Sequence, residues 1–307
     1  MYNLHVVKMR RFWYGLSLTL AIISIGFIAT GGLKFGLDFT GGSLLEVSYA
    51  KDRPSVAEIT DILKSQKIEN ARVQPSQTAD YIIRVEVLNE VDHQAVLNAL
   101  KEKSVAGNKD NIVTENRFES IGPTLGSELK TRSIYSILLV IAAIVTYLAY
   151  AFRKVTRPVA AWKFGAAAVV ALAHDVIILI GVFAFLGHFY STEVDSLFVT
   201  ALLTLLGFSV HDTIVTIDRV RENLFKQQDL TFENLVDRSI NETFARSINT
   251  SLATLITISA IYFFGGPSVK DFSFALMIGI IVGTYSSIFI ASPLLVTAYK
   301  LSRRTAK

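Results

Sequence analysis

Apolar residues dominate six long runs of this chain. Each run is close to the roughly 20 residues that an α-helix needs to cross a bilayer, so each run predicts a transmembrane span. The fifth span is the shortest, and its helix is expected to extend backwards to about Asn241. The predicted spans are Trp13–Gly32, Ile134–Phe152, Phe164–Leu186, Leu197–Ile217, Ile248–Phe264 and Phe274–Val296.

The fourth predicted span contains an acidic residue, Asp212, inside the run LFVTALLTLLGFSVHDTIVTIDR at residues 197–219. Placing a carboxylate at the centre of a bilayer costs about 2.5–3.5 kcal/mol on insertion scales. An apolar residue would avoid that cost, so Asp212 indicates a site for ions, protons or substrate. We expect its side chain to face protein rather than lipid.

A polar stretch, residues 34–133, separates the first span from the other five. Its alternating and helical patterns follow the order β-α-β-β-α-β, which is that of a ferredoxin-like α+β unit. The stretch shows no paired carboxylates, histidine cluster or nucleophile, so binding or coupling is expected there rather than catalysis. The predicted strands are residues 43–49, 71–74, 81–87 and 111–120, and the predicted helices are residues 54–66 and 91–103.

Lys and Arg residues are distributed unevenly between the two sides of the spans. The termini and short loops on one side carry sixteen of them, whereas the short loops on the other side carry only Lys270. By the positive-inside rule, both termini are cytoplasmic and the polar stretch is exported. The predicted domains are residues 1–33 (N terminus and first span), 34–133 (exported domain), 134–299 (five spans with a cytoplasmic loop at 218–247) and 300–307 (cytoplasmic tail).

Composition agrees with a membrane protein and excludes several function classes. Only 18% of the residues are charged, against about 25% in soluble domains. The net charge of +4 is explained by the loop asymmetry, so no nucleic-acid binding is predicted. The chain has no cysteine, which excludes disulfides, thiolate metal sites and cysteine nucleophiles.

The first span also has the features of a secretory signal. Lys8–Arg11 precedes an apolar run, and Ala29–Gly31 provides small residues of the kind found at cleavage sites. The run is long, however, and its removal would upset the count of six spans. We therefore expect an uncleaved membrane anchor.

Two glycine-containing motifs bracket the polar stretch. GLDFTGG contains Gly36, Asp38, Gly41 and Gly42, and GPTLG contains Gly122, Pro123 and Gly126. Neither has the spacing of a nucleotide-binding loop. Glycine permits sharp turns, and a Gly-Pro pair limits how far a helix extends. We therefore expect two hinges between the spans and the exported domain.

The third and fourth spans carry the same dipeptide, His174-Asp175 and His211-Asp212. Adjacent helical residues point about 100° apart, so the His and Asp of one dipeptide are not expected to share a face. A metal site is disfavoured because ligands in bundles are usually spaced i,i+3 or i,i+4. An intramembrane aspartyl protease is disfavoured because the glycines typical of such sites are missing. Asp175, His174 and His211 are therefore secondary candidates for an ion pathway.

Proton coupling fits Asp212 better than either alternative. A low-dielectric environment favours the protonated acid and a nearby cation favours the carboxylate, so alternating surroundings can load and release a proton. Arg246, at the start of the fifth span, is the expected cationic partner. Its long stem could also make it an interfacial anchor that obeys the positive-inside rule.

Two milder patterns concern helix packing. Gly279 and Gly283 in the last span form a GxxxG motif, which favours close helix contact. After Thr231, a plausible N-cap, apolar residues recur at helical spacing up to Phe244. This second pattern predicts an amphipathic helix along the cytoplasmic interface.

Motifs near the span boundaries and within the spans can be compared with known families. They are GLDFTGG, IGPTLGSEL, ALAHDVIILIG, GFSVHDTIVTIDRVREN, RSINTSLATL and FFGGPSVKDFSFALMIGIIVGTYSSIFIASPL. Together they resemble the SecD/SecF family of bacterial protein-export proteins, and its SecF branch in particular. The resemblance covers roughly residues 30–300. It implies an all-α six-helix transmembrane bundle, equivalent to half of an RND-superfamily protein, with an exported ferredoxin-like domain between spans 1 and 2.

The resemblance also implies a function. It implies a non-enzymatic subunit of the Sec translocase in the bacterial cytoplasmic (inner) membrane, which couples proton or sodium flow to late-stage export without a cofactor or metal. It places the relay carboxylate at Asp212 and its partner at Arg246. The implied partners are SecD, the SecYEG channel and unfolded polypeptide in transit, with YajC and YidC as further candidates. The alternative function is an RND-type exporter of small molecules or lipids, for which the exported domain is small.

Overall fold

The computed structural model describes residues 4–68, 70–75, 81–107, 110–153, 160–226 and 229–305. Three cations used to predict the orientation, Lys154, Arg157 and Lys307, lie outside these ranges. In chain order the elements are α1 (Arg10–Gly31), α2 (Leu37–Thr40), β1 (Gly42–Tyr49), α3 (Val56–Ser65), β2 (Arg72–Pro75), β3 (Tyr81–Val85), α4 (Glu90–Gly107), β4 (Val113–Ile121), α5 (Pro123–Ala151), α6 (Ala161–Tyr190), α7 (Ser196–Lys226), α8 (Phe232–Phe264), α9 (Pro267–Ser286), a π-turn (Ser287–Ala291) and α10 (Ser292–Thr305).

Six helical segments in the described ranges are long and apolar enough to cross a membrane. They are α1, α5, α6, α7, α8 and the combined segment formed by α9, the π-turn and α10. The predicted fold class is therefore confirmed for the spans. The chain divides into two compact units, Phe35–Ile134 and a membrane unit that combines Met1–Lys34 with Tyr135–Lys307.

The unit Phe35–Ile134 contains one antiparallel sheet with the strand order β2-β3-β1-β4. This is the ferredoxin-like arrangement that the element order predicts. Apolar residues of α3 and α4, such as Ile59 and Leu100, are buried against Leu45 and Ile83 of the sheet. The one-turn helix α2, within the GLDFTGG motif, is an element that the sequence pattern did not predict.

The segment predicted as a cytoplasmic loop, residues 218–247, is almost entirely helical. Helix α7 continues to Lys226, and α8 begins at Phe232 after Thr231, whose hydroxyl accepts a hydrogen bond from the Asn234 amide. The predicted amphipathic helix is therefore the first part of α8 and is continuous with the fifth span. It packs against α7, where the Asn223 amide donates to the Ser239 hydroxyl at 2.9 Å. The contact between α7 and α8 was not predicted, because the polarity of a segment does not show which other helix it packs against.

Within the membrane unit, glycines mark the closest helix approaches. A Cβ atom at Gly279 would lie 3.0 Å from a side-chain carbon of Leu205, and one at Gly283 would lie 3.1 Å from the Cβ of Ser209. The GxxxG motif therefore lies at a close helix contact, as predicted, and the structure shows that the partner helix is α7. Gly181 of α6 meets Ser24 of α1 in a similar contact, which no motif indicated.

Candidate functional site

Asp212 is buried near the middle of α7, with 6% of its surface exposed. Its Oδ1 atom accepts a hydrogen bond from the Ser247 hydroxyl of α8 at 2.6 Å. Its Oδ2 atom accepts one from the Ser287 hydroxyl of the π-turn at 2.7 Å. Both distances lie within the usual range for O–H···O hydrogen bonds. Asp212 therefore lies where three spans meet and faces the interior of the bundle.

Asp175 is completely buried and forms a second polar centre on α6. Its Oδ2 atom accepts hydrogen bonds from the hydroxyls of Ser209 on α7, at 2.5 Å, and Ser286 on α9, at 2.7 Å. Its Oδ1 atom lies 3.0 Å from Nδ1 of His174. Three helices therefore converge on Asp175 as well.

The contact between His174 and Asp175 corrects an expectation. The sequence argument held that the two side chains of the dipeptide would not share a face, yet their polar tips meet at 3.0 Å. The 100° rotation fixes where the Cβ atoms start, whereas rotation about the side-chain bonds lets the tips converge. The Nε2 atom of His174 is buried and has no hydrogen-bond partner in the described part of the chain.

Ser286 and Ser287 connect the two centres, because these consecutive residues donate to Asp175 and Asp212 respectively. Sequence reasoning missed them. The available signal was the pair of serines inside the apolar run IGIIVGTYSSIFIASPL. Hydroxyls in a membrane helix often hydrogen-bond across to a neighbouring helix, so the pair could have been matched to the two buried aspartates.

The last span leaves α-helical geometry at this point and forms the π-turn Ser287–Ala291. Pro293 has no N–H group to donate to the carbonyl of Phe289, four residues earlier, which disfavours regular α-helical bonding here. The Ser292 hydroxyl donates to the Ser287 carbonyl at 3.1 Å. Single π-turns within α-helices are frequent at functional sites.

Arg246 and His211 are exposed in the membrane unit. Arg246 does not approach Asp212 within ion-pair distance, so the expected direct pair is absent in this structure. The contact is made instead by Ser247, the next residue of α8. A one-residue step turns a helical side chain by about 100°, so Arg246 lies at the level of Asp212 but on a different face of α8.

No group of three or more His, Asp or Glu residues in the described ranges has the geometry to hold a metal ion. The two buried aspartates lie in separate centres, and serine hydroxyls supply most of their contacts. Carboxylate oxygens can accept and release protons; serine hydroxyls contact three of these four oxygens, and Nδ1 of His174 contacts the fourth.

The GLDFTGG and GPTLG motifs both fall inside the unit Phe35–Ile134, where they pack against each other. Gly41 has φ 70° and Gly42 has φ 119°, values that favour glycine. A Cβ atom at Gly41 would lie 2.9 Å from the Cα of Pro123, and one at Gly126 would lie 3.0 Å from the Gly41 nitrogen. These glycines permit close backbone packing, and the hinge role expected for them stays a prediction.

The remaining residues of the two motifs have simpler positions. Gly36 precedes α2 as its N-cap, and Asp38 lies in the first turn of that helix. Pro123 begins α5, so the Gly-Pro pair starts a helix instead of ending one. A Cβ atom at Gly122 would meet open space.

Comparisons with known proteins agree with these features. Residues 101–301 match the family model for the C-terminal part of the protein export membrane proteins SecD and SecF. Residues 26–52 match the model for the SecD/SecF GG motif. The chain belongs to the SecD/SecF family. The family membership predicted from the sequence motifs is therefore confirmed.

Individual members of the SecD/SecF family match along almost the whole chain. Protein translocase subunit SecF of Thermobaculum terrenum is 41% identical over 302 residues, which cover 95% of this chain and 93% of the relative. SecF of Haemophilus influenzae is 37% identical over 93% of this chain and 83% of the relative. The chain is thus a SecF-type subunit of protein translocation, a transporter component and not an enzyme.

A crystal structure of SecDF from Thermus thermophilus, described as a translocon-associated membrane protein, has the same fold. It matches with a TM-score of 0.80 and 30% identity. The alignment covers 96% of this chain and 38% of that longer chain. SecD/SecF proteins therefore provide a structural precedent for both the bundle and the ferredoxin-like unit.

Proposed function

We propose that this SecF-type subunit couples proton flow to late-stage polypeptide export and that Asp212 binds and releases the proton. The observation that supports this proposal is the setting of its carboxylate, which is buried in an apolar span and held by two hydroxyl groups. Within the described ranges, no Lys, Arg or His nitrogen lies within 4.0 Å of it. A close ion pair would favour the ionised form alone. A hydroxyl can rotate and either donate to a carboxylate or accept from a protonated acid, so this site suits both states.

Arg246 supports the proposal in a different way. It is exposed at the level of Asp212, where an uncovered cation would face the hydrocarbon of the bilayer at considerable cost. His211 is exposed on neighbouring α7, in a stripe with Thr200, Thr204 and Gly207. We infer that a SecD-type subunit covers this face. Arg246 then tunes the ionisation of Asp212 when the subunits move, and the complex acts on polypeptide leaving the SecYEG channel.

The proposed coupling assigns a direction to the chain in the membrane. Both termini lie in the cytoplasm of a bacterial cell, and the ferredoxin-like unit lies on the exported side. The distribution of Lys and Arg over the short loops supports this orientation. Protons entering from the exported side would reach Asp212 within the span and leave towards the cytoplasm.

The test replaces Asp212 with asparagine in membranes that carry the SecD-type partner. Asparagine keeps the size and hydrogen-bonding capacity but cannot ionise, so assembly is expected to persist and gradient-stimulated release of a late-stage precursor to disappear. The matched control is Asp218→Asn, about 1.7 turns along the same helix, where the carboxylate pairs with Arg221 at 2.6 Å. The release assay is run with a proton gradient and then with a sodium gradient. Full proton-gradient-stimulated release by Asp212→Asn would refute the proposal, whatever the sodium assay shows.

A further inference from the structure

The two buried aspartates share a linker of adjacent hydroxyls on one turn of the last span. Ser286 Oγ donates to Asp175 at 2.7 Å and also lies 3.1 Å from the Gly283 carbonyl. Ser287 Oγ donates to Asp212 at 2.7 Å and also lies 3.0 Å from the Thr284 carbonyl. Each hydroxyl therefore has two acceptors within reach but only one proton to donate.

The choice between these acceptors depends on the charge of the aspartate. An ionised carboxylate is the stronger acceptor, so the hydroxyl proton points to it. A protonated carboxyl group can itself donate, and the serine oxygen then accepts while its proton turns to the helix carbonyl. Protonation of either aspartate thus rotates a hydroxyl on the same helical turn.

This helical turn is also the place where the backbone departs from α-geometry. Ser287 begins the π-turn, and its carbonyl accepts a hydrogen bond from the Ser292 hydroxyl, five residues further along the chain. A hydroxyl that bonds to a carbonyl three or four residues back can bend a helix. Rotation of the Ser287 hydroxyl therefore changes the bonding of the turn that also holds Ser286.

We propose that Asp175 is a second proton-binding residue, and that Ser286 and Ser287 couple its protonation to that of Asp212. This proposal rests on the function proposed for Asp212. It concerns the carboxylate of Asp175, which the export assay described above does not test. Four other titratable groups lie near the pair. His174 contacts Asp175, Tyr285 has its ring 6.3 Å from that of His174, and His211 and Arg246 lie on the exposed faces of α7 and α8.

The test is a pH titration of carboxyl protonation by infrared difference spectroscopy, on the full chain with its SecD-type partner in liposomes. Asp175→Asn and Asp212→Asn assign the two carboxyl bands by their loss. We expect Asp212→Asn to shift the protonation midpoint of Asp175 by about one pH unit, the level at which two sites count as coupled. With Ser286 and Ser287 both replaced by alanine, the same Asp212→Asn change is expected to cause no shift.

Two further variants separate coupling from damage to the fold. Ser287→Thr keeps a hydroxyl and is expected to retain the shift. Ser273→Ala removes a fully buried serine from the same helix, one that donates only to the Val269 carbonyl, and this variant is also expected to retain the shift.

The proposal is overturned if Asp175 shows no titrating band, or if the protonation midpoint of Asp175 is the same with and without Asp212. A shift that survives in the double alanine variant would overturn the role of the serines. Each result can be read whether or not Asp212→Asn abolishes export.

Discussion

Replacing Gly181 with alanine tests the contact between α1 and α6 that anchors the first span. A Cβ atom at residue 181 would lie 2.2 Å from Cβ, 2.5 Å from Oγ and 2.6 Å from Cα of Ser24. The hydroxyl can rotate away, but the Cα belongs to the backbone, so α1 itself must shift. Small residues at such crossings are what allow membrane helices to approach closely.

The expected magnitude follows from two opposing effects. Overpacking a well-packed contact costs about 1–3 kcal/mol, whereas alanine recovers up to about 1 kcal/mol of helix propensity over glycine. Because a backbone atom is among the obstacles, we expect a net loss of about 1–2 kcal/mol in the free energy of unfolding. This corresponds to a decrease in Tm of roughly 2–8 °C.

The assay is thermal unfolding of the purified full chain in mild detergent. Gly207→Ala is the matched control, since a Cβ atom there would meet nothing within 4 Å, and its Tm should equal or exceed that of the wild type. Adding Ser24→Gly to Gly181→Ala should recover part of the loss, because the two nearest obstructing atoms belong to the Ser24 side chain. If Gly181→Ala unfolds at the wild-type temperature, the close crossing is not present in the protein and the reasoning is wrong.

Two further predictions concern the cation and the glycine motif. Arg246→Lys should keep part of the gradient-stimulated export, because lysine retains the charge of arginine but not its planar guanidinium group. Arg246→Met removes the charge and should lose this export. Equal export by Arg246→Met and the wild type would show that Arg246 is only an interfacial anchor. Gly41→Ala should destabilise the unit Phe35–Ile134 by about 1–2 kcal/mol, since φ is 70° and Pro123 lies close. Faster amide hydrogen exchange in that unit measures the loss, Gly122→Ala is the control, and unchanged exchange in Gly41→Ala would contradict the packing argument.

Local pattern was sufficient for much of the fold. The six spans follow from the length of apolar runs, because a bilayer imposes the same length requirement on any chain that crosses it. The order of elements in the unit Phe35–Ile134 follows from periodicity, since apolar residues recur every two residues in a half-buried strand and every three to four in a helix. Ser55 and Glu58 form a capping box, in which each side chain accepts a hydrogen bond from the other residue's backbone amide. This local sequence signal lies at the position where α3 begins.

The sequence by itself also indicated that Asp212 has a functional role, because a carboxylate in hydrocarbon is costly whatever the rest of the fold is. Only the tertiary structure decided what surrounds it. Ser247, not Arg246, contacts Asp212, and Ser287 reaches it from a span that is distant in sequence. Which residue of a helix faces a neighbour depends on the rotation of both helices about their axes, and that rotation is set by packing such as the contact of Gly283 with Ser209. Hydropathy records that a residue is in the membrane, whereas its partners are fixed by interactions between spans.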